Sequence, residues 1–291
     1  MIDKATFKRW LRPINFSVNV RPYGTRFRIP VVRGTGLSHR RGHEIWMFDA
    51  MRRLFKVQGA VGIIDVGVNI GQTLLKAKSV NIACPYIGFE PNPFCVVYID
   101  ELIDLNSFDH CSVFPIALSS RTGMIEFLAE SLADAAASIV VGLRSEISRP
   151  RKKYIPMLPF DQVAAELSFP KMPVVKIDVE GAEGDVIDGM VNYLRQVRPI
   201  VLCEVLHAHS SAHIPLLNTR NAALFASLRA IGYRVHRINK TAGQSTVESI
   251  TSIKAFPDEV FRFPESFQQC DYLFISEENV EAVEAEFSAA R

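Results

Sequence analysis

No apolar run in this chain approaches the ~20 residues that a bilayer-spanning helix needs. Met1 to Leu11 mixes charges and lacks the hydrophobic stretch of a secretory signal. Neither sign of charge dominates. The 33 Lys and Arg nearly balance 31 Asp and Glu, a formal charge of +2, which gives no reason to expect nucleic acid or an anionic membrane as the main partner. There is no CxxC pair: five cysteines (Cys84, Cys95, Cys111, Cys203, Cys270) are scattered and odd in number. They read as small buried hydrophobes in a reducing compartment. Repeats, low-complexity tracts and GxGxxG are all missing. A soluble cytoplasmic protein is expected, and 291 residues, 48% of them hydrophobic, can bury one large core with an appendage.

What is there centres on Val61 to Pro93, VGIIDVGVNIGQTLLKAKSVNIACPYIGFEPNP. A short apolar run (Val61, Ile63, Ile64, Val66) carries Asp65 near its end. Gly67-Val68-Asn69-Ile70-Gly71 follows, and a helical pattern opens at Gln72. A second apolar run (Tyr86, Ile87, Phe89) ends on Glu90. This is a strand-turn-helix-strand unit, the first half of a nucleotide-binding sheet. Glycines in such a turn permit positive φ and close backbone approach. The turn also sets a ligand against the free N–H groups of the helix start. Glu90 falls about where such a unit places a carboxylate to hold two ribose hydroxyls.

Before this unit, Phe16 to Val20 and Arg26 to Val32 alternate around Pro22-Tyr23-Gly24 and predict a hairpin. Gly34 to Gly42 reads as a solvated basic loop, and Glu44 to Phe55 as a helix leading into the sheet. Residues 1–55 thus form an N-terminal extension and 56–291 the main domain. After Glu90 the pattern predicts a helix over Phe94 to Leu105, a strand over Ser112 to Leu118, and another strand, Gly123 to Ala129, outside the nucleotide-binding order. Leu132 to Pro159 is less regular and holds a basic knot, Arg149-Pro150-Arg151-Lys152-Lys153, read as a solvated face. A short helix is expected over Pro159 to Phe169. The strand PVVKIDVEG (Pro173 to Gly181) leads to a helix over Ala182 to Arg195. Then come the strand Pro199 to Leu206, a histidine-bearing loop, a helix over Asn221 to Ile231, and strands at Tyr233 to Ile238 and Asp271 to Ser276. Alternation of these elements predicts an α/β fold, a doubly wound sheet of seven strands.

In such a sheet ligands bind beyond the carboxyl ends of the strands. Asp65, Glu90, Asp178 and Glu204 fall there, with Glu180 just beyond. Acids are depleted from strands, so one at each successive strand end marks a site. Lys176 lies in a strand expected to be covered on both sides, and a buried ammonium needs a carboxylate; Asp178 or Glu204 is the expected partner.

DVGVNIGQT, FEPNP, Ala117-Leu118-Ser119-Ser120, KIDVEGAE and RPIVLCEV, in this order and spacing, resemble the FkbM family of S-adenosylmethionine-dependent methyltransferases, from about Ile45 to Ser276. KIDVEGAE is the most specific piece. Where that family usually has Ala before Asn, this chain has Val68, which should not block the cofactor. The resemblance implies a class I, Rossmann-like methyltransferase fold with Asp65, Gly67, Asn69 and Gly71 around the methionine moiety and Glu90 on the ribose. Ala117 would lie near the adenine and Asp178 at the cofactor–acceptor junction, and Thr73 and Asn92 join the cofactor-binding set. It further implies O-methylation of a hydroxyl on a sugar, glycolipid or natural product, with a small-molecule or glycan acceptor as partner.

A sugar hydroxyl is a poor nucleophile, so a base or a metal must help remove its proton. Asp178, Glu180, Glu204 and His207 are the candidates, with Lys176 beside them, and Glu180 or His207 is favoured as base. Hard oxygen ligands at adjacent strand ends would suit a divalent ion such as Mg²⁺, with Asp178 and Glu204 as a weak site. His207, His209 and His213 give HxHxxxH, read as polar surface before a zinc site. A nicotinamide oxidoreductase would show GxGxxG and gives the KIDVEGAE acids no role. A nucleobase N-methyltransferase would show Asp/Asn-Pro-Pro-Tyr where Asp178-Val179-Glu180-Gly181 stands. A non-catalytic relative that binds cofactor, or serves in assembly, is the reading from outside enzymology; intact Glu90 and Asp178 argue against it.

Overall fold

The computed structural model describes residues 15–59, 62–129, 151–208, 210–258, 260 and 269–288. Met1 to Leu11, Val61, most of the irregular stretch after Leu132, Arg149, Pro150 and His209 lie outside them, so expectations there stand as they were read from sequence.

The chain opens with the expected hairpin, β1 (Phe16–Val20) and β2 (Phe27–Val31), paired in antiparallel register. The basic loop is not fully solvated: Leu37–Arg41 form a 3₁₀ turn, and His39 is buried in it. Helix α1 (Ile45–Gln58) follows and ends on Gly59 in a left-handed conformation, whose N–H bonds back to Phe55. Then come β3 (Gly62–Val66), α2 (Gln72–Val80) and β4 (Tyr86–Phe89). Next is α3 (Pro93–Asn106), which starts at a proline behind an Asn92 cap.

The expected strand Ser112 to Leu118 is two strands in different sheets. Cys111–Phe114 (β5) joins the main sheet, whereas Ala117–Leu118 (β6) joins a small sheet with β7 (Gly123–Ala129) and β8 (Arg151–Leu158). Pro115 lies between the two, and proline cannot donate to a continuing ladder. Part of the basic knot therefore lies in a strand, since Arg151, Lys152 and Lys153 open β8 and pair with β7.

The second half begins with α4 (Phe160–Glu166) and β9 (Pro173–Ile177). The helix expected over Ala182 to Arg195 is broken at Met190 into α5 (Glu183–Gly189) and α6 (Val191–Val197). Gly189 sits so close to the Ser119 carbonyl that a Cβ there would lie 2.1 Å from the oxygen. The apolar face holds through the break: Val186, Ile187, Met190 and Leu194 are all fully buried. Strand β10 (Val201–Glu204), α7 (Ile214–Ala230), β11 (Tyr233–Lys240), β12 (Val247–Ser252), β13 (Asp271–Ser276) and α8 (Val280–Ser288) complete the order.

The main sheet has eight strands in the order β12-β11-β13-β10-β9-β3-β4-β5, the seven expected plus β12 at one edge. β13 runs antiparallel between β10 and β11, and β12 runs antiparallel to β11, while β5, β4, β3, β9 and β10 are parallel. The central strands GIIDV and PVVKI are buried at every position, as both faces are covered.

One face of the sheet shares a core with the N-terminal segment. Phe27 and Ile29 of β2 and Trp46, Met47, Met51 and Leu54 of α1 pack in the same cluster as Ile63, Leu74 and Leu273. Trp46 is 1% exposed. Replacing it should therefore act like a core truncation: Trp46→Ala is expected to cost about 3–5 kcal/mol, read as a lower denaturant midpoint at unchanged slope. A near-neutral result would mean that the lead-in helix is dispensable to the fold.

Candidate functional site

The carboxyl ends of the parallel strands, together with the start of β13, converge on one rim. Asp65 and Lys176 are direct partners across β3 and β9, and Glu204 faces Asp271 across β10 and β13. Lys176 is the hub. Its Nζ lies 3.2 Å from Asp65 and 3.4 Å from Asp178, and donates to the Gly67 carbonyl at 2.9 Å. Burial pushes this ammonium down, but Asp65, Asp178 and Glu44 outweigh it and hold Lys176 above the usual lysine range. Asp178 is thus one of its partners, as expected. The other is Asp65, and Glu204 is not one.

Asp65 is fully buried, with the Tyr86 hydroxyl donating to one oxygen and Lys176 beside the other. The sequence reading set it on the open rim; its need for partners inside the sheet holds it beneath instead. Asp178 is the acid that emerges, its side chain 34% exposed. Its backbone is tied to the turn, since its N–H donates to Val66 and its carbonyl packs on Gly67. A Cβ at Gly67, where φ is +86°, would fall 1.9 Å from that carbonyl oxygen. Only glycine fits there.

The turn itself is held by Glu90. One oxygen accepts the Asn69 N–H and the other the Asn92 N–H, both at 2.7 Å. Burial pushes Glu90 up to about 7 against these two bonds. Asn69 takes a left-handed conformation at φ 51°. Asn92 caps α3 by accepting the Phe94 N–H and also receives Lys153 at 3.4 Å. Thr73 is buried in the first turn of α2, Gly71 caps that helix, and Ala117 is buried in β6. Val68 points inward and is buried: a Cβ on Gly88 would lie 2.5 Å from its methyl.

On the other side, Glu180 sits in a left-handed conformation at φ 58°. Non-glycine residues persist there only when their surroundings over-determine them. Both backbone groups of Gly181 are clamped: its N–H donates to Glu183 at 2.8 Å, and its carbonyl accepts from Arg220 at 2.8 Å. Glu204 is half-buried. Burial, then the charges of Asp178, Asp271, Glu180 and Glu44, raise its carboxyl well above the ordinary range. His207, favoured beside Glu180 as base, is 5% exposed and lines a small cavity with Gly181, Glu183 and Arg220, behind the turn. That placement takes it off the open rim. His213 is engaged by Ser210 at 3.1 Å, and among the described residues no group of three or more His, Cys, Asp or Glu could hold a metal ion.

Four residues that the sequence reading passed over belong to this rim. Asp271 enters on the antiparallel strand, and Lys240 at the end of β11 donates to it. Trp46 covers Lys240, with the ammonium 4.1 Å from the ring centroid. Glu44, at φ 48°, pairs with the fully buried Lys76 at 2.8 Å. Only Asp271 carried a sequence signal, as an acid opening a strand that turned out antiparallel.

Glu183 offers a test of this electrostatic reading. Burial pushes it up to about 7, whereas an unfolded glutamate titrates near 4.3. A raised acid contributes stability below its unfolded value and loses it as pH rises through the folded one. Glu183→Gln keeps an acceptor for the Gly181 N–H and removes the ionisation. Its stability relative to the parent should rise by about 1–3 kcal/mol between about pH 4 and about pH 8. Urea titrations across that range measure the difference; a flat difference would refute the assignment.

Comparison with known proteins places this arrangement. Residues 65–235 match the Methyltransferase FkbM domain family, a shorter span than the Ile45 to Ser276 read from motifs. Among curated proteins, the hexuronic acid methyltransferase AglP of Haloferax volcanii is 30% identical over 141 residues, or 47% of this chain and 53% of that protein. The chain thus matches about half the length of that relative. Among solved structures, the methyltransferase FkbM from Methylobacillus flagellatus KT aligns at 15% identity and TM-score 0.44, over 74% of this chain and 43% of that one. A SAM-dependent methyltransferase from Agrobacterium tumefaciens aligns at 8% identity and TM-score 0.41, over 90% and 70%. Because the family match covers more than half of this chain, the chain belongs to the FkbM methyltransferase family.

Proposed function

We propose that the protein transfers a methyl group from S-adenosylmethionine to a hydroxyl oxygen of a sugar, glycolipid or natural-product acceptor. The observation that carries this reading is the rim joining Glu90, the Gly67 turn and Asp178. The donor set suits the cofactor. A carboxylate offers about four lone-pair sites, and Glu90 gives two to the turn, which leaves acceptor capacity for a ribose diol. The exposed Asp178 suits a neighbouring sulfonium or ammonium. When bound, the cofactor supplies an activated methyl carbon.

The chain's residues then have separable tasks. Glu90, anchored on the Asn69 and Asn92 N–H groups, holds the ribose end, and Gly67 lets the turn close on the strand that carries Asp178. Asp178, fixed by Lys176, sits at the junction and orients the acceptor, because positioning supplies much of the rate of an in-line displacement. Glu180, on its clamped left-handed turn, takes the hydroxyl proton. The curated relative is named for hexuronic acids, which supports a carbohydrate as the acceptor class.

The test is transfer of labelled methyl from S-adenosylmethionine to a panel of glycosides and lipid-linked glycans. Cofactor binding without transfer to any of them would favour a non-catalytic relative. Two variants separate the tasks. Glu90→Ala should weaken S-adenosylhomocysteine binding by about 2–3 kcal/mol, as bonds to a charged acceptor are lost. Glu180→Gln should leave that affinity intact and cut turnover by about 10²–10⁴. Equal losses in both measurements for Glu180→Gln would move it out of the base role.

A further inference from the structure

The near balance of charge over the whole chain hides a segregation. No Asp or Glu stands between Asp3 and Glu44, whereas ten Lys or Arg do. At the chain's overall frequency of acids, a stretch of that length would hold about four. Residues 1–43 thus carry a formal +9 and the rest of the chain −7. Among the described residues, the cations of this segment are all arginines. They are Arg21, Arg26, Arg28, Arg33, Arg40 and Arg41, and every one is exposed.

The fold gathers four of them. Val20 and Phe27 are a register pair of β1 and β2 and both face the core, which turns Arg21 and Arg26 outward on either side of the hairpin turn. That turn is pinned to the end of the basic loop. The Tyr23 hydroxyl donates to the His43 carbonyl at 2.8 Å and accepts the His43 N–H at 3.2 Å. A Cβ at Gly42 would lie 2.9 Å from the Pro22 carbonyl oxygen. Arg40 and Arg41 directly precede this contact on the 3₁₀ turn, and buried His39 anchors them to the Ile70 carbonyl of the glycine turn at 3.1 Å. Two pairs of guanidinium groups, distant in sequence, are thereby held at one corner beside the rim. The first acid after the segment, Glu44, is engaged by Lys76 at 2.8 Å.

We infer that this corner docks the protein on an anionic lipid surface, with phospholipid phosphates as the groups it holds. Guanidinium forks match phosphate oxygens in pairs, and clustered Lys and Arg bind anionic headgroups with a gain from each residue. Exposed apolar side chains in the same part of the chain favour lipid over nucleic acid. Phe16 is 37% and Ile45 43% exposed, and apolar groups beside basic ones enter the headgroup boundary. Among the described residues no helix is long and apolar enough to cross a membrane, so the attachment is peripheral. Docking at this corner would bring the rim to a glycolipid acceptor. The inference goes beyond methyl transfer and does not depend on it.

Sedimentation of the full chain with vesicles tests it. The protein should pellet with phosphatidylcholine vesicles that contain about 30% phosphatidylglycerol and stay in solution with phosphatidylcholine alone. Pelleting should fall steeply as salt rises. Arg40→Gln/Arg41→Gln and Arg21→Gln/Arg26→Gln should each lower the partition coefficient about tenfold or more, at unchanged Tm and S-adenosylhomocysteine affinity. Arg195→Gln/Arg229→Gln removes the same charge from exposed positions on α6 and α7 and should lower it less than about twofold. An equal loss in that control would reduce the attraction to net charge and overturn the inference. So would a failure to pellet, or equal pelleting with both kinds of vesicle. Release from the vesicles by single-stranded RNA at matched phosphate concentration would reassign the corner to nucleic acid. Vesicle binding needs no turnover, so methyl transfer stands or falls on its own test.

Discussion

A single ammonium constrains the rest of the site. Lys176 lies in the middle of the central strand pair, where an unpaired charge would be very costly, and three groups converge to satisfy it: Asp65 across the sheet, Asp178 two residues on, and the Gly67 carbonyl. Meeting that need welds the glycine turn to the end of β9. The same lysine that stabilises two acids therefore fixes the distance between the glycine turn and Asp178. Asp65 contributes from beneath, through Lys176 and Tyr86, and Asp178 is left as the exposed member.

The N-terminal segment completes what the sheet begins. His39 donates from Nε2 to the Ile70 carbonyl within the turn, and burial holds its imidazole down at about 4, so the ring stays neutral under ordinary conditions. Glu44 satisfies Lys76, and Trp46 roofs Lys240. Each of these contacts joins the extension to a polar group that the sheet would otherwise have to solvate. The 3₁₀ turn and the lead-in helix are thus tied to the polar rim as well as to the core.

Much of this was legible because parallel strands buried on both faces read as unbroken apolar runs, and because acids at their ends stand out. GIIDV, YIGF and PVVKI gave themselves away in that manner. VESITS did not: it is an edge strand whose residues are mostly polar, and nothing in its composition separates it from a loop. The split after Phe114 did carry a signal, since a proline inside an apolar run argues against a continuous strand. The break at Met190 carried none: apolar spacing runs through it, and only packing of Gly189 against Ser119 shows the interruption. Lys176 announced that it needed a carboxylate, and Asp178 was within reach of sequence reasoning. Asp65 required strand register, and Glu44 and Asp271 required knowing which distant segments meet. His207 looked available by its place after a strand, yet the chain turns it behind the Gly181 turn.

The placement of β13 has a bearing on how this fold can be divided. It lies between β10 and β11 in the sheet, although residues 271–276 come last among the strands and fall beyond the span shared with the family. A fragment cut to residues 65–235 would begin inside β3, end inside β11, and lose the strand that bridges the two halves of the sheet. The stretch by which the family is recognised is therefore not a unit that can stand by itself. Evolution can reshape the flanks of such a protein only while they go on supplying its missing middle.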